Sequence, residues 1–177
     1  MKDSLEVDSS YESLHSAHRS YSPLTAGASR FQHLPGGSEC VLVVDDNRVL
    51  AESTRRLLAE LGYEARACTD PLQARTLVAD DSRHDVDLLL TDYAMPHMNG
   101  YELAQRLREG RPDLRVLLCS SWSEDVLRRE HPGDDWLPFI EKPFTLEALA
   151  ARVREVLDSE SPIPCHLNRR QRVLGEE

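Results

Sequence analysis

Val86-Asp87-Leu88-Leu89-Leu90-Thr91-Asp92 is a near-continuous apolar run that ends in a hydroxyl and a carboxylate. Three further runs end in polar groups of other kinds: Cys40-Val41-Leu42-Val43-Val44 in Asp45-Asp46, Val116-Leu117-Leu118-Cys119 in Ser120, and Leu137-Pro138-Phe139-Ile140-Glu141 in Lys142-Pro143. Short apolar runs separated by helical patterns mark the strands of a parallel sheet covered on both faces. In such a sheet ligands bind outside the carboxyl ends of the strands. Carboxylates, hydroxyl and ammonium are therefore expected along one edge.

The segments between these runs carry helical periodicity. Leu50, Thr54, Leu57, Leu58 and Leu61 fall on one face, and Gly62 stands where a helix stops. Tyr63 to Cys68 reads as a weaker strand, and Pro71 opens a second helix at its first turn. Tyr101 to Glu109 forms a third helix, ended by Gly110 and Pro112. After the strand Leu114 to Cys119 comes a short helix from Ser123 to Arg129, which His131-Pro132-Gly133 ends. Leu146, Leu149, Val153, Val156 and Leu157 point inward from the last helix. The alternation predicts an α/β fold: a doubly wound five-stranded parallel sheet, (βα)5, in the flavodoxin-like strand order 2-1-3-4-5.

Composition sets the boundaries. With 177 residues and 40% hydrophobic content, the chain buries one sizeable core. Residues 1–37 hold eight Ser and end in Pro35-Gly36-Gly37 without sustained periodicity, which predicts a flexible N-terminal arm. Residues 38–158 form the folded domain, and 159–177, broken by Pro162 and Pro164 and carrying Arg169-Arg170-Gln171-Arg172, form a flexible tail. The net charge of -10 leaves no broad basic surface, so nucleic acid is not an expected partner. No apolar run approaches a membrane span and none follows the first residues, so no membrane association and a cytoplasmic location are expected. Cys40, Cys68, Cys119 and Cys165 lack metal-site spacing and read as packing thiols, neither zinc ligands nor disulfides.

In strand order 2-1-3-4-5 the first and third strands are neighbours, so Asp45-Asp46 and Asp92 converge. Three crowded carboxylates repel one another, and a hard divalent cation such as Mg2+ relieves that repulsion. Asp-Asp-Asn after a strand is also a good helix N-cap, and Asp92 before Tyr93 is also an ordinary loop residue. Separate coincidences at four strand ends are the weaker account. Lys142 sharpens the contrast, because the chain has 19 Arg and two Lys, the other being Lys2. A compact ammonium on a slender stem reaches a phosphoryl oxygen or carboxylate where a forked guanidinium does not. The bond to Pro143 is one that tolerates a cis peptide. Met95-Pro96-His97-Met98-Asn99-Gly100 reads as a turn with an exposed His97 and packing methionines, not as chemistry.

Taken together, Val41-Leu42-Val43-Val44-Asp45-Asp46-Asn47, Leu88-Leu89-Leu90-Thr91-Asp92-Tyr93-Ala94-Met95-Pro96-His97-Met98-Asn99-Gly100, Leu117-Leu118-Cys119-Ser120-Ser121 and Phe139-Ile140-Glu141-Lys142-Pro143-Phe144 resemble the motifs of two-component response regulator receiver domains, which are CheY-like. The resemblance runs from Cys40 to Asp158. Its final stretch is most similar to receivers of hybrid sensor kinases or stand-alone single-domain regulators. It implies that Asp92 accepts a phosphoryl group from a histidine kinase or histidine phosphotransfer protein. Asp45, Asp46 and Asp92, with the backbone carbonyl of Ala94, are the implied Mg2+ ligands. Ser120 is the implied hydroxyl that turns to the phosphoryl group, Lys142 the lysine that neutralises it, and Phe139 the switch aromatic, here without a tyrosine hydroxyl. Ser121-Trp122 adds a large ring beside the site.

The implied output is altered protein–protein contact with a downstream target the sequence does not name, including a candidate homodimer through the helix 4–strand 5–helix 5 face. The chain is then a phosphoacceptor and not an enzyme. The stretch after Asp158 is too short for a helix-turn-helix module, so no DNA-binding output domain is expected. Two readings compete. An aspartyl-phosphate phosphohydrolase needs Asp-x-Asp at the nucleophile and a cap, whereas Asp92-Tyr93-Ala94 lacks the second acid. A phosphorylation-independent receiver-like interaction scaffold would not need the full acid, hydroxyl and lysine set.

Overall fold

The computed structural model describes residues 33–79, 86–132 and 137–159. The predicted arm up to residue 32, the tail from residue 160, Cys165, Trp136 and the Gly133 helix stop lie outside the described residues. The elements in chain order are β1 (Cys40–Val44), α1 (Arg48–Glu60), β2 (Glu64–Cys68), α2 (Pro71–Ala79), β3 (Leu88–Asp92), α3 (Gly100–Gly110), β4 (Arg115–Ser120), α4 (Glu124–Glu130), β5 (Phe139–Glu141) and α5 (Leu146–Asp158). The five strands are parallel and lie in the order β2-β1-β3-β4-β5, as the alternation predicts.

Side chains of successive strand residues point to opposite faces, and each face has its own core. Leu42, Val44, Leu89, Val116 and Leu118 pack with Ala74 and Val78 of α2, Leu103 and Leu107 of α3 and Leu127 of α4. Val41, Val43, Leu88, Leu90, Leu117 and Ile140 pack on the other face with Leu58 of α1 and Leu149, Val153 and Leu157 of α5. Both faces are covered, which is why β1, β3 and β4 read as unbroken apolar runs. Edge strand β2, paired only with β1 and mostly accessible, reads weakly for the same reason.

Three local readings are corrected. Leu50 does not belong to the buried face of α1, since it is 45% exposed while Ala51 is buried. Counting back from Leu58 in steps of four turns the stripe by about 80° at Leu50, whereas a step of seven to Ala51 turns it by only about 20°. The third strand starts at Leu88, after Val86 and Asp87. The Asp87 carboxylate accepts the Cys40 backbone N–H at 2.8 Å, so this residue closes the start of β1. The fifth strand begins at Phe139, because Pro138 has no N–H to donate, although its carbonyl still accepts from Leu118 N at 3.0 Å.

Residues 34–37, assigned from sequence to the flexible arm, lie against the domain. Leu34 packs on the α1/α5 core, Gly37 N donates to Leu61 O at 3.3 Å, and Arg154 donates to Gly36 O at 3.5 Å. A Cβ at Gly36 would sit 2.0 Å from Leu61 O, so only glycine permits that approach. No helix among the described residues is long and apolar enough to cross a membrane.

Candidate functional site

Register brings the strand-end residues together. Val44 pairs with Thr91, so Asp45 and Asp92 follow at one level; Asp92 pairs with Cys119 and Ser120 with Glu141, which places Ser120 and Lys142 just beyond. Backbone bonds carry the ladder into the site: Asp45 N donates to Cys68 O, Tyr93 N to Cys119 O at 2.7 Å and Lys142 N to Ser120 O at 2.7 Å. The site residues are therefore fixed by the sheet, while their side chains project past its edge.

Lys142 is the centre of the constellation. Its ammonium donates to Asp45 Oδ2 at 2.7 Å and to Asp92 Oδ1 at 2.6 Å, with all three side chains largely withdrawn from solvent. Burial acts to lower the Lys142 pKa, but the bonds to Asp45 and Asp92 outweigh it and hold the pKa above the ordinary lysine value. The second oxygens are also engaged: Asp45 Oδ1 accepts from Asn47 N at 2.9 Å, and Asp92 Oδ2 from Ala94 N at 2.9 Å. Asn47 in turn caps α1, its side chain accepting from Val49 N and Leu50 N. The capping reading is thus realised at Asn47, two residues beyond Asp45. The Lys142–Pro143 peptide is cis.

Asp46 lies exposed on the surface beside buried Asp45. Among the described residues no three His, Cys, Asp or Glu side chains stand close enough together to hold a metal as a group. The Lys142 ammonium bridges Asp45 and Asp92, and Asp46 stands exposed next to Asp45. The donor set still suits a hard cation. Each oxygen of Asp45 and Asp92 accepts one hydrogen bond and keeps a further lone pair.

Ser120 is 2% exposed, and its Oγ accepts the Trp122 N–H at 2.9 Å. The hydroxyl is thereby tied to the backbone of the loop between β4 and α4. Behind it, burial pushes the Cys119 thiol up to about 12, with Lys142 opposing and Asp92 and Asp45 adding, so this cysteine stays a neutral packing group. Among the described residues Cys40, Cys68 and Cys119 are buried and form no disulfide. Phe139 is half-buried, and its carbonyl accepts from Arg152 Nε of α5 at 3.2 Å.

The 95–100 segment is a turn, as expected. His97 is exposed at φ 68° while Met95 and Met98 are buried. Gly100 brings the start of α3 against the site, where a Cβ would lie 2.1 Å from Asp92 O. Sequence reasoning missed the aromatic cluster beyond Asp92. Tyr93 Oη and His131 Nε2 are 2.9 Å apart, His131 stacks on Tyr101 with centroids 3.8 Å apart, and Trp122 lies 5.3 Å from the Tyr93 ring. Nothing in the spacing of 93, 101 and 131 marks this cluster. His131 was legible only as the end of α4, whose last turn its N–H closes through Leu127 O.

A family model for the response regulator receiver domain matches residues 41–154. Sensor kinase CckA of Brucella abortus (strain 2308) is 32% identical over 124 residues, which cover 70% of this chain and 13% of that protein. Response regulator MprA of Mycobacterium avium (strain 104) is 38% identical over 125 residues, covering 69% of this chain and 52% of MprA. The chain therefore spans about half or less of the length of these relatives. Among solved structures, the receiver domain from hybrid histidine kinase CckA is 26% identical with a TM-score of 0.55, covering 67% of this chain and 99% of that one. Vibrio cholerae chemotaxis protein CheY4, 22% identical with a TM-score of 0.60 over 68% of this chain and 99% of its own, shares the fold.

Proposed function

The chain belongs to the response regulator receiver domain family, and from that premise we propose that it takes a phosphoryl group onto Asp92 from a histidine kinase or a histidine phosphotransfer protein. Phosphoacceptor chemistry and Mg2+ binding are general features of this family. The observation that carries the reading for this chain is the Lys142 ammonium held between Asp45 and Asp92 at 2.7 and 2.6 Å. A phosphoryl acceptor needs a nucleophilic oxygen with a cation at the place where charge gathers, and this arrangement supplies both.

In the transfer, an Asp92 carboxylate oxygen bonds to phosphorus as the bond from phosphorus to the donor imidazole nitrogen breaks. The imidazole departs with the electron pair and takes up a proton. Lys142 follows the charge onto the phosphoryl oxygens, and Ser120 gives up the Trp122 N–H so that its hydroxyl can donate to one of them. Asp45, Asp46 and Asp92, with the Ala94 carbonyl, would hold Mg2+, which when bound offsets the charge on those oxygens. The folded receiver comprises residues 38–158 with 34–37 as its lead-in, acts in the cytoplasm, and is the object of phosphotransfer, not a turnover catalyst. Its signal leaves through altered contacts of α4, β5 and α5 with a target protein or a second copy.

Treatment of the full chain with acetyl phosphate and Mg2+ tests the reading. One labile phosphoryl group is expected in the intact mass, and none in Asp92→Asn. Equal labelling of that variant, or an acid-stable ester, overturns it.

A further inference from the structure

The cavity beside Phe139 is lined by Tyr101, Leu118, Leu127, Arg128, His131, Leu137 and Phe139 and measures about 30 Å3. A cavity that holds benzene measures roughly 150 Å3, so the Phe139 ring cannot swing in unless a wall yields. Leu118 is fixed in β4 between β3 and β5. α4 supplies more of the wall than any other element, through Leu127, Arg128 and, at its C-terminal cap, His131.

His131 is what fastens that wall. Its ring stacks on Tyr101 of α3 at 3.8 Å with planes 19° apart, and its Nε2 shares a hydrogen bond with Tyr93 Oη at 2.9 Å. Tyr101 is itself positioned, since its hydroxyl accepts from Gln105 Nε2 at 2.7 Å. Tyr93 is the residue after Asp92, and Trp122 lies over it at 5.3 Å. Trp122 N–H is the group bonded to Ser120 Oγ. A contiguous set of contacts thus leads from the hydroxyl that must turn, through Trp122, Tyr93 and His131, to the wall that must move.

We propose that His131 is a positioning residue of the switch: through Tyr93 and Tyr101 it holds α4 closed over the Phe139 cavity, and its release sets how readily Phe139 moves inward. This rests on the receiver reading for its purpose. The latch itself exists before any phosphoryl group arrives. When Ser120 turns and draws Trp122 away from Tyr93, the hydrogen bond to His131 loosens and the closed population falls. The test perturbs each contact of the latch and reads Phe139.

The full chain carries 4-fluorophenylalanine at position 139, and fluorine NMR gives the ratio of inward to outward ring, first without any phosphodonor and then with Mg2+ and beryllofluoride. His131→Ala is expected to raise the inward ratio about tenfold in the unphosphorylated protein, equivalent to about 1.4 kcal/mol. Tyr93→Phe deletes only the hydroxyl and is expected to give a smaller rise, in a variant that keeps the packed ring. His131→Phe restores the stack on Tyr101 and is expected to return the ratio to the Tyr93→Phe level. Beryllofluoride is expected to add less to His131→Ala than to the unmutated chain, because the latch is already open. Unchanged ratios in both His131→Ala and Tyr93→Phe overturn the proposal, as does a rise in His131→Ala that His131→Phe does not reduce. Failure of Asp92 to accept phosphate, read separately from the intact mass, defeats the receiver reading and leaves the unphosphorylated ratios to decide the latch.

Discussion

Replacing Lys142 by Met removes the charge and keeps most of the apolar stem. Asp45 and Asp92 then face each other with no cation between them, each sheltered from solvent. Two unit charges roughly 5 Å apart repel by about 3 kcal/mol at an effective dielectric of 20. Deleting one member of a buried ion pair costs about 3–5 kcal/mol, and the residual exposure of these side chains places the effect at the low end. A loss of about 2–3 kcal/mol in unfolding free energy is therefore expected at neutral pH in chelator, read from urea denaturation followed by circular dichroism. Saturating Mg2+ should recover a large share of that loss, since a hard cation on the same carboxylates relieves the same repulsion. Asp45→Asn in the Lys142→Met background should recover stability without Mg2+. A variant as stable as the unmutated chain in chelator, or one whose deficit Mg2+ leaves untouched, refutes this account of the site.

Lys142 also fixes an alkaline limit: its pKa is raised in the fold, so its contribution is fully present below the unfolded lysine value of about 10.4 and is lost as pH rises through the higher folded value; a melting-temperature profile should show this extra fall in the unmutated chain and not in Lys142→Met. At the acid end, the hydrogen bond from Arg154 at 2.7 Å holds the Glu39 pKa below its ordinary value against opposing burial. That contribution is present above about pH 4.3 and is lost as pH falls through the depressed folded value; Arg154→Met should flatten this part of the profile. His97 sits at φ 68°, where a β-carbon is strained; His97→Gly is expected to stabilise by up to about 1 kcal/mol, less the entropy glycine adds to the unfolded chain, in urea denaturation. Destabilisation there would show that His97 makes a favourable contact.

The legible part of the molecule is the part governed by local pattern. Apolar runs on β1, β3 and β4 are buried on both faces, and the polar residues that end them meet because parallel register is set by those same runs. Asp45, Asp92, Ser120 and Lys142 could be placed in this way without coordinates. Leu50 could not, because a four-residue step tracks a helix face only for a turn or two before drifting off it. That Lys142 reaches a carboxylate was legible, but its position directly between Asp45 and Asp92 was not, because repulsion among carboxylates suggested a divalent cation there. The His131 contacts were least visible of all. They join Tyr93, Tyr101 and a helix cap, three residues of different local structure whose meeting depends on how α3 and α4 lean together.

Borohydride reduction of the phosphorylated full chain, followed by peptide sequencing, tests the central claim most directly, because it converts an aspartyl acyl phosphate to homoserine at the residue that carried it. With a phosphohistidine donor and Mg2+, homoserine is expected at position 92 alone. Homoserine at position 45 or 46, or none despite phosphate incorporation, would contradict the assignment of Asp92 as the acceptor.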